Sequence, residues 1–357
     1  MPVACLRALP GLAAGARARP VEFLARRLPG LLDEARSALA GYVGCSDRDL
    51  AFVQNATTGV NLAARSLDLG SGDEILTTDL EYGACDLAWD WICNRTGAQY
   101  VRMPIPLPLR DPSEVVDALF AAAGERTRAI YISHVTSETA LVLPVVEIVT
   151  RARELGLATI VDGAHAPAHV PLDLDALGAD FYSGNCHKWL MSPKGAGFLH
   201  VRPEHQERVD AAIVSWGYTE GRTFSERIET QGTRDPAAWL AVPDAIRFQA
   251  ERDWASIRER CRRLTCEARV ELCALLGTEP LAPDGMLAQM ATVRLPRPVP
   301  GLSDRLFSRD RVEIPLAGAE NDLLRLSVAA YTTREEIDRL LAALARELDA
   351  EHRQQNE

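Results

Sequence analysis

Short apolar runs alternate with stretches of helical period along the first two thirds of the chain. The runs AFVQN (51–55), DEILTTD (73–79), QYVRMPI (99–105), RAIYISHV (128–135), ATIVDGA (158–164), ADFYSG (179–184) and GFLHV (197–201) predict strands. Helical patterns such as VVEIVTRARELG (145–156) lie between them. This alternation predicts an α/β fold, a mostly parallel central sheet flanked by helices. Continuous apolar strands fit burial on both faces.

After about residue 235 the pattern changes. One long helical segment is expected from near Pro236 through AIRFQAERDWASIRERCRRLTCEARVELCALLG, with Cys261, Cys266 and Cys273 on its faces. MATVRLP (290–296), VEIPLA (312–317) and LLRLSVAAY (323–331) predict strands, and TREEIDRLLAALARELDA a closing helix. Thr333 and Glu336 form a capping box at its start. This part reads as a smaller C-terminal α+β domain. The expected division is an N-terminal segment, 1–40, packing on the small domain, then a large domain, 41–240, and a small domain, 241–357. The tail EHRQQNE is expected to fray.

Bulk properties narrow the function. A length of 357 residues accommodates two domains, and 47% hydrophobic with 25% charged residues is ordinary for a soluble globular chain. The net charge of −11 argues against a general nucleic-acid binder. No apolar run approaches the roughly 18 residues of a membrane span. The N-terminus is apolar but broken by Arg7 and Pro10, so a secretory signal is not expected. Eight cysteines, none in a C-x-x-C pair, argue against a zinc site and read as free thiols of a reducing cytoplasm.

Four clusters fall where an open α/β sheet binds ligands, at the carboxyl ends of its strands. In QNATTGVNLAARSL a strand ends near Asn55 and a helix begins near Thr57, and a helix start suits a phosphate. A plain N-cap explains the same residues. In VDGAHA, Asp162 ends an apolar strand with His165 three residues on. A buried carboxylate needs a partner, either a backbone turn or a protonated ring nitrogen. In FYSGNCHKWLMSPKGAGFLHV, Lys188 is flanked by Cys186, His187, Trp189, Leu190 and Met191. An amine in an enclosed apolar pocket loses its charge and becomes a nucleophile towards an aldehyde. A snorkelling surface lysine is the plain alternative. In LLRLSVAAYTT, Arg325 interrupts an apolar strand, which fits either a carboxylate-binding fork or an edge residue facing water. Together the four supply the parts of a pyridoxal-phosphate site.

At these residues the chain resembles the class V aminotransferase family of fold type I pyridoxal-phosphate (PLP) enzymes, and within it the isopenicillin N epimerase-like branch. The matching stretches are FVQNATTGVN, EILTTDLEYGACD, ISHVTSETALVLPV, VDGAHAPAHVPLDLDALGADFYSGNCHKWLMSPKGAGFLHV and IETQGTRDPAAWLAVPDAI. The resemblance implies that Lys188 carries the cofactor as a Schiff base and that Asp162 pairs with its pyridine nitrogen. Tyr82 would stack on the ring. His165 would sit near the phenolic oxygen, with Ser137 close by. Thr57, Thr58, Asn185 and His187 would hold the phosphate. Thr233 would reach the phosphate of a second subunit, which implies a homodimer with shared sites. Arg325 would bind the substrate carboxylate.

Three features depart from the family pattern. The opening MPVACLRALP looks like the segment that follows the family's N-x-G-S-x-G loop. The stretch SRDRVEIPLAGAENDLLRL lacks the cysteine that desulfurases carry before this arginine, which speaks against persulfide chemistry. Tyr331 is followed by Thr332, where the family often has asparagine. The implied reaction is formation of an external aldimine with an amino acid or its conjugate, followed by Cα deprotonation and epimerisation, with Tyr82 or His134 as the second proton donor. Cysteine-S-conjugate C–S β-elimination, transamination and a non-catalytic scaffold role are the alternatives.

Overall fold

A computed structural model describes residues 19–355. The readings of MPVACLRALP, of Arg7 and Pro10, and of Cys5 lie outside these residues. The strands are β1 Leu50–Val53, β2 Glu74–Thr78, β3 Gln99–Met103, β4 Thr127–Ser133, β5 Ala158–Gly163, β6 Phe181–Asn185, β7 Gly197–Val201, β8 Met290–Arg294, β9 Leu316–Ala317 and β10 Leu323–Ser327. The longer helices are α1 Leu28–Val43, α2 Ala56–Arg65, α3 Gly83–Thr96, α4 Ser113–Ala121, α5 Val145–Glu154, α6 Phe224–Glu229, α7 Val242–Ala250, α8 Trp254–Leu276, α9 Leu302–Asp310 and α10 Arg334–Gln355.

The chain divides into two compact units. The first holds the described residues up to 104 together with 115–135 and 144–254; the second holds 105–114, 136–143 and the chain from Ala255. The described part of the N-terminal segment, including α1, therefore belongs to the first unit. It was expected on the small domain. Residues 241–254 also join the first unit, because α7 packs against α1: Tyr42 of α1 hydrogen-bonds the buried Gln249 of α7 at 2.7 Å.

The first unit is built on a seven-stranded sheet of order β1-β7-β6-β5-β4-β2-β3. All neighbours pair in parallel except around β7, which runs against both β1 and β6. Every residue of β1, β2, β6 and β7 is buried, the polar Glu74, Thr77, Thr78, Ser183, Asn185 and His200 included. Each fully buried valine or leucine here contributes roughly 1.5–3 kcal/mol. Trp89 of α3 lies over this core, 5.5 Å from the Tyr131 ring and 6.0 Å from Tyr100. Because β1, β2, β4, β5 and β6 run the same way, their carboxyl ends share one edge. Asn55, Glu81, His134, Asp162 and Asn185 gather there.

The second unit carries a three-stranded antiparallel sheet, β8-β10-β9, packed by apolar faces of α8, α9 and α10. The capping box at α10 is present: the Thr333 N–H donates to Glu336 at 2.9 Å, and the Glu336 N–H to Thr333 Oγ1 at 3.3 Å. That helix continues through Gln355, into the tail expected to fray. Two expected elements differ. The helix from Pro236 is three helices, Ala237–Leu240, α7 and α8. Pro243 can only begin α7, and Asp253 turns the chain at a left-handed φ of 44°. VEIPLA pairs only at β9, since Pro315 has no N–H to give a ladder. Among the described residues no helix is long and apolar enough to cross a membrane.

Candidate active site

At the end of β1 the Asn55 side chain caps α2, its Oδ1 accepting the Thr58 N–H at 2.9 Å and Thr58 Oγ1 at 3.2 Å. Asn185, at the end of β6, braces the same turn: its Oδ1 accepts the Ala56 N–H at 2.8 Å. Asn185 is therefore committed to this turn through its oxygen. Close packing keeps the turn low on the sheet. A Cβ at Gly197 would lie 2.8 Å from Asn55 Cα, so only glycine lets β7 pass beneath it. Thr57 and Thr58 are half-buried on the first turn of α2. His187 donates Nδ1–H to the Ala196 carbonyl at 2.7 Å, and burial pushes its pKa down.

Asp162 is buried at the end of β5. Its Oδ1 accepts the Ala164 N–H at 2.8 Å; its Oδ2 accepts from Tyr131 at 3.3 Å and from the Cys85 thiol at 3.5 Å. These three donors are neutral. Desolvation pushes the Asp162 carboxyl up, against the pull of those bonds and of the Lys188 charge. The turn reading of Asp162 is thus part of the truth, since Ala164 takes one oxygen. The other oxygen is met only by weak, long donors, which fits a carboxylate awaiting a protonated ring nitrogen.

Lys188 follows β6 by three residues. Its neighbours Cys186 and Leu190 are fully buried and Trp189 is half-buried, yet Lys188 itself is exposed. The expected apolar enclosure is not what surrounds the amine. The apolar neighbours anchor the turn, and a histidine meets the amine: His165 Nε2 lies 2.9 Å from Lys188 Nζ. Trp189 Nε1–H donates to His165 Nδ1 at 3.3 Å. Asp162, His165 and Lys188 thus come together at one edge.

Tyr82 precedes α3, 44% exposed, its carbonyl accepting the Cys85 N–H at 2.8 Å. His134 is engaged by Tyr182, Nδ1 to hydroxyl at 2.9 Å, and burial pushes its pKa down to about 4. Thr233 lies exposed on the turn between α6 and α7.

Ser137 and Arg325 both belong to the second unit. Arg325 sits in the middle strand, β10, opposite Thr292 of β8. Its Nη1 donates to the Ser137 carbonyl and, at 3.3 Å, to the Ser137 hydroxyl. Its Nε–H is buried with no hydrogen-bond partner. Arg325 is not the water-facing edge residue of the plain reading: it is half-buried, with desolvation lowering its pKa. A guanidinium held at one end with an unpaired Nε–H fits an incoming carboxylate.

Several residues at this edge were not expected from the sequence. Asn55 had a signal, an asparagine directly before a helix start. Trp189 lies beside the lysine. Cys85, Tyr131 and Glu81 carried no local signal, since their partners are 77, 31 and 52 positions away.

Comparison with known proteins finds relatives over most of the chain. The family model "Aminotransferase class-V" matches residues 13–340. The chain is 41% identical to an isopenicillin N epimerase of Amycolatopsis lactamdurans, over 92% of this chain and 87% of that protein. It is 40% identical to the isopenicillin N epimerase of Streptomyces clavuligerus, over 96% of this chain and 91% of that one. Among solved structures, the cystine C–S lyase C-DES in complex with cysteine persulfide superposes with a TM-score of 0.84 at 24% identity, covering 97% of this chain and 94% of that one. That last likeness speaks to the fold.

Proposed function

The chain belongs to the class-V aminotransferase family, and from that premise we propose that it is an epimerase. It would take the Cα proton from an amino acid, or from an amino-acid conjugate such as isopenicillin N, and return a proton on the other face. The observation that carries this reading is the Lys188–His165 pair, 2.9 Å apart at the strand edge that also holds Asp162. Pyridoxal 5′-phosphate, when bound, supplies an aldehyde for the substrate amine and an electron sink for Cα.

The residues divide the remaining work. Lys188 would hold the cofactor and would serve as the group that moves the Cα proton. Asp162 supplies the counter-charge that keeps a pyridine nitrogen protonated. Its buried, weakly donated carboxylate suits that role. Thr57, Thr58, the Asn185 amide and His187 receive the phosphate beside the start of α2. Tyr82 covers a ring face. Arg325 offers its unpaired Nε–H to a carboxylate, with Ser137 bracing the fork.

Of the two groups considered as second proton donor, His134 is neutral at pH 7 and tied to Tyr182. Tyr82 is the one we assign. Thr233 would reach the phosphate site of a second copy, making the enzyme a homodimer. Seven free cysteines among the described residues are consistent with a cytoplasmic enzyme.

The test is incubation with isopenicillin N in heavy water, read by mass spectrometry and chiral separation. Deuterium at Cα of otherwise intact, inverted product is expected, and Tyr82→Phe should slow its appearance by roughly 100-fold or more. Elimination of thiol and pyruvate from a cysteine S-conjugate, with isopenicillin N left unlabelled, would replace this reading with a lyase.

A further inference from the structure

We propose that Trp189 is a positioning residue that sets the proton of His165 on Nε2, so that His165 donates to Lys188 and favours its free-amine form. The inference deepens the reading above and rests on Lys188 being the reacting amine. A lysine buried in apolar surroundings loses its charge through desolvation. That route is closed here, because Lys188 is exposed. Something else must favour the free amine if it is to act as a nucleophile.

The hydrogen bonds supply it. Indole Nε1–H is a donor only. Pointing at His165 Nδ1 from 3.3 Å, it requires a lone pair there. A neutral imidazole bare at Nδ1 carries its proton on Nε2, and Nε2 is the atom 2.9 Å from Lys188 Nζ. The amine must then accept, which an ammonium cannot do. An ammonium donating to Nε2, with the indole still donating to Nδ1, would need an imidazolate. A doubly protonated His165 would set two N–H groups against each other at Nδ1. Either charged state must break the Trp189 bond. The indole thus opposes the pull of the Asp162 carboxylate, which by itself favours the ammonium.

Trp189 is itself held in place. Its ring stacks on His169 with centroids 4.2 Å apart and planes 12° from parallel. The His169 Nδ1–H donates to the His165 carbonyl at 3.0 Å, so stacking partner and acceptor belong to one turn. The Trp189 carbonyl accepts from Gln249 of α7 at 3.3 Å, and Gln249 is fixed by Tyr42. The residue after the lysine is therefore a donor of set direction, and its apolar body serves the anchoring.

The test uses cofactor-free protein with nitrogen-15-labelled histidine. His165 is assigned by its loss in His165→Gln, and its two ring-nitrogen shifts are read near neutral pH. The expected wild-type spectrum has Nε2 in the protonated range and Nδ1 in the bare range. Trp189→Phe keeps the stack on His169 and removes only the donor; an Nδ1-protonated population is expected to appear. A wild type protonated on Nδ1 overturns the proposal, and so does an unchanged tautomer in Trp189→Phe. If that variant does not fold, the wild-type tautomer alone decides.

In parallel, free pyridoxal phosphate is trapped on the protein with borohydride and the labelled lysine is located by mass spectrometry. Labelling of Lys188 is expected to slow roughly tenfold in Trp189→Phe, the effect of losing one hydrogen bond of ordinary strength. Absence of any label on Lys188 in the wild type would sink the functional reading, while the tautomer measurement would stand by itself.

Discussion

Glu81 is the acid of this edge that the proposed chemistry leaves unused. It is buried at 5% exposure directly before Tyr82, and its carboxylate accepts from Ser133 N–H at 2.8 Å, Ser133 Oγ at 2.5 Å and Thr78 Oγ1 at 2.7 Å. Desolvation outweighs these bonds and raises its pKa from 4.5 to about 8. Between these values the folded protein keeps a proton that the unfolded chain has lost, so this group makes stability fall as pH rises through that window. His134 has the opposite sign: lowered to about 4 by burial, it makes stability rise with pH up to its unfolded value near 6.5. Above about pH 6.5 the carboxyl effect is therefore unopposed by His134. Glu81→Gln retains an acceptor for Ser133 and removes the charge. We expect denaturation midpoints of this variant to exceed wild type at pH 8 and to lose most of the downward slope between pH 6.5 and 8. An unchanged slope would mean that Glu81 ionises freely in the fold. Asp162→Asn tests the neighbouring carboxylate. It keeps the Ala164 bond and removes the counter-charge. Equilibrium dialysis should show PLP bound about 10–100-fold more weakly, the worth of a charge-assisted bond. Affinity equal to wild type would place the pyridine nitrogen elsewhere. Lys188, Asp162 and Arg325 were legible in the sequence because each is a charged residue at or in an apolar strand. The Asp162 partners Cys85 and Tyr131 were not, because β4, β5 and α3 meet only after folding. For Lys188 the apolar neighbours even misled, since a side chain beside buried residues need not itself be buried.

At the scale of elements, strands were the most legible feature. All seven runs expected in the large sheet form strands, within a few residues at each end. The inner strands are buried because both faces are covered, while the edge strand β3 exposes Gln99 and Arg102. The errors fall where backbone chemistry overrides side-chain pattern, at Pro315, Pro243 and Asp253. Packing of α2 on the sheet is a further property the pattern does not show. Gly59 faces β6 so closely that a Cβ would lie 2.0 Å from Ser183 Oγ and 2.7 Å from Ser183 Cβ. That hydroxyl is not free to swing, as it donates to the Phe198 carbonyl at 2.9 Å and the Ala56 carbonyl at 3.2 Å. Alanine would gain about 1 kcal/mol of helix propensity over glycine. Overpacking costs roughly 1–3 kcal/mol, and loss of the buried serine bonds adds to it. The second effect wins. Gly59→Ala should lower the melting temperature and weaken phosphate binding at the start of α2, measured by calorimetry and by inorganic phosphate competition against PLP. A raised melting temperature with unaltered competition would show that α2 can lift from β6 at no cost.

At the scale of the whole molecule, the question is whether one chain suffices. The first unit exposes Ile213, Val214 and Trp216 at 52%, 73% and 77%, three large apolar side chains within four positions, and it also exposes Thr233. Exposed apolar residues gathered in this way mark an interaction surface, and a second copy of the chain is the partner that would give Thr233 a phosphate to meet. Nothing in the order of residues along one chain reveals such a partner, and the homodimer came into view only through family resemblance. Two damaged subunits can settle it. Lys188→Ala removes the reacting amine, and Thr233→Asp places a negative charge where a phosphate would bind. Each variant expressed alone should be inactive. In a mixed dimer with shared sites, one site receives both defects and the other receives neither. Co-expressed with distinct tags, the pair should therefore recover about one quarter of wild-type activity, half of the dimers carrying one intact site of two. Activity should follow the doubly tagged species through purification. No recovery in a mixed dimer that is physically present would place both residues in the same site of one chain, and a monomeric mass at micromolar concentration would remove the shared site altogether.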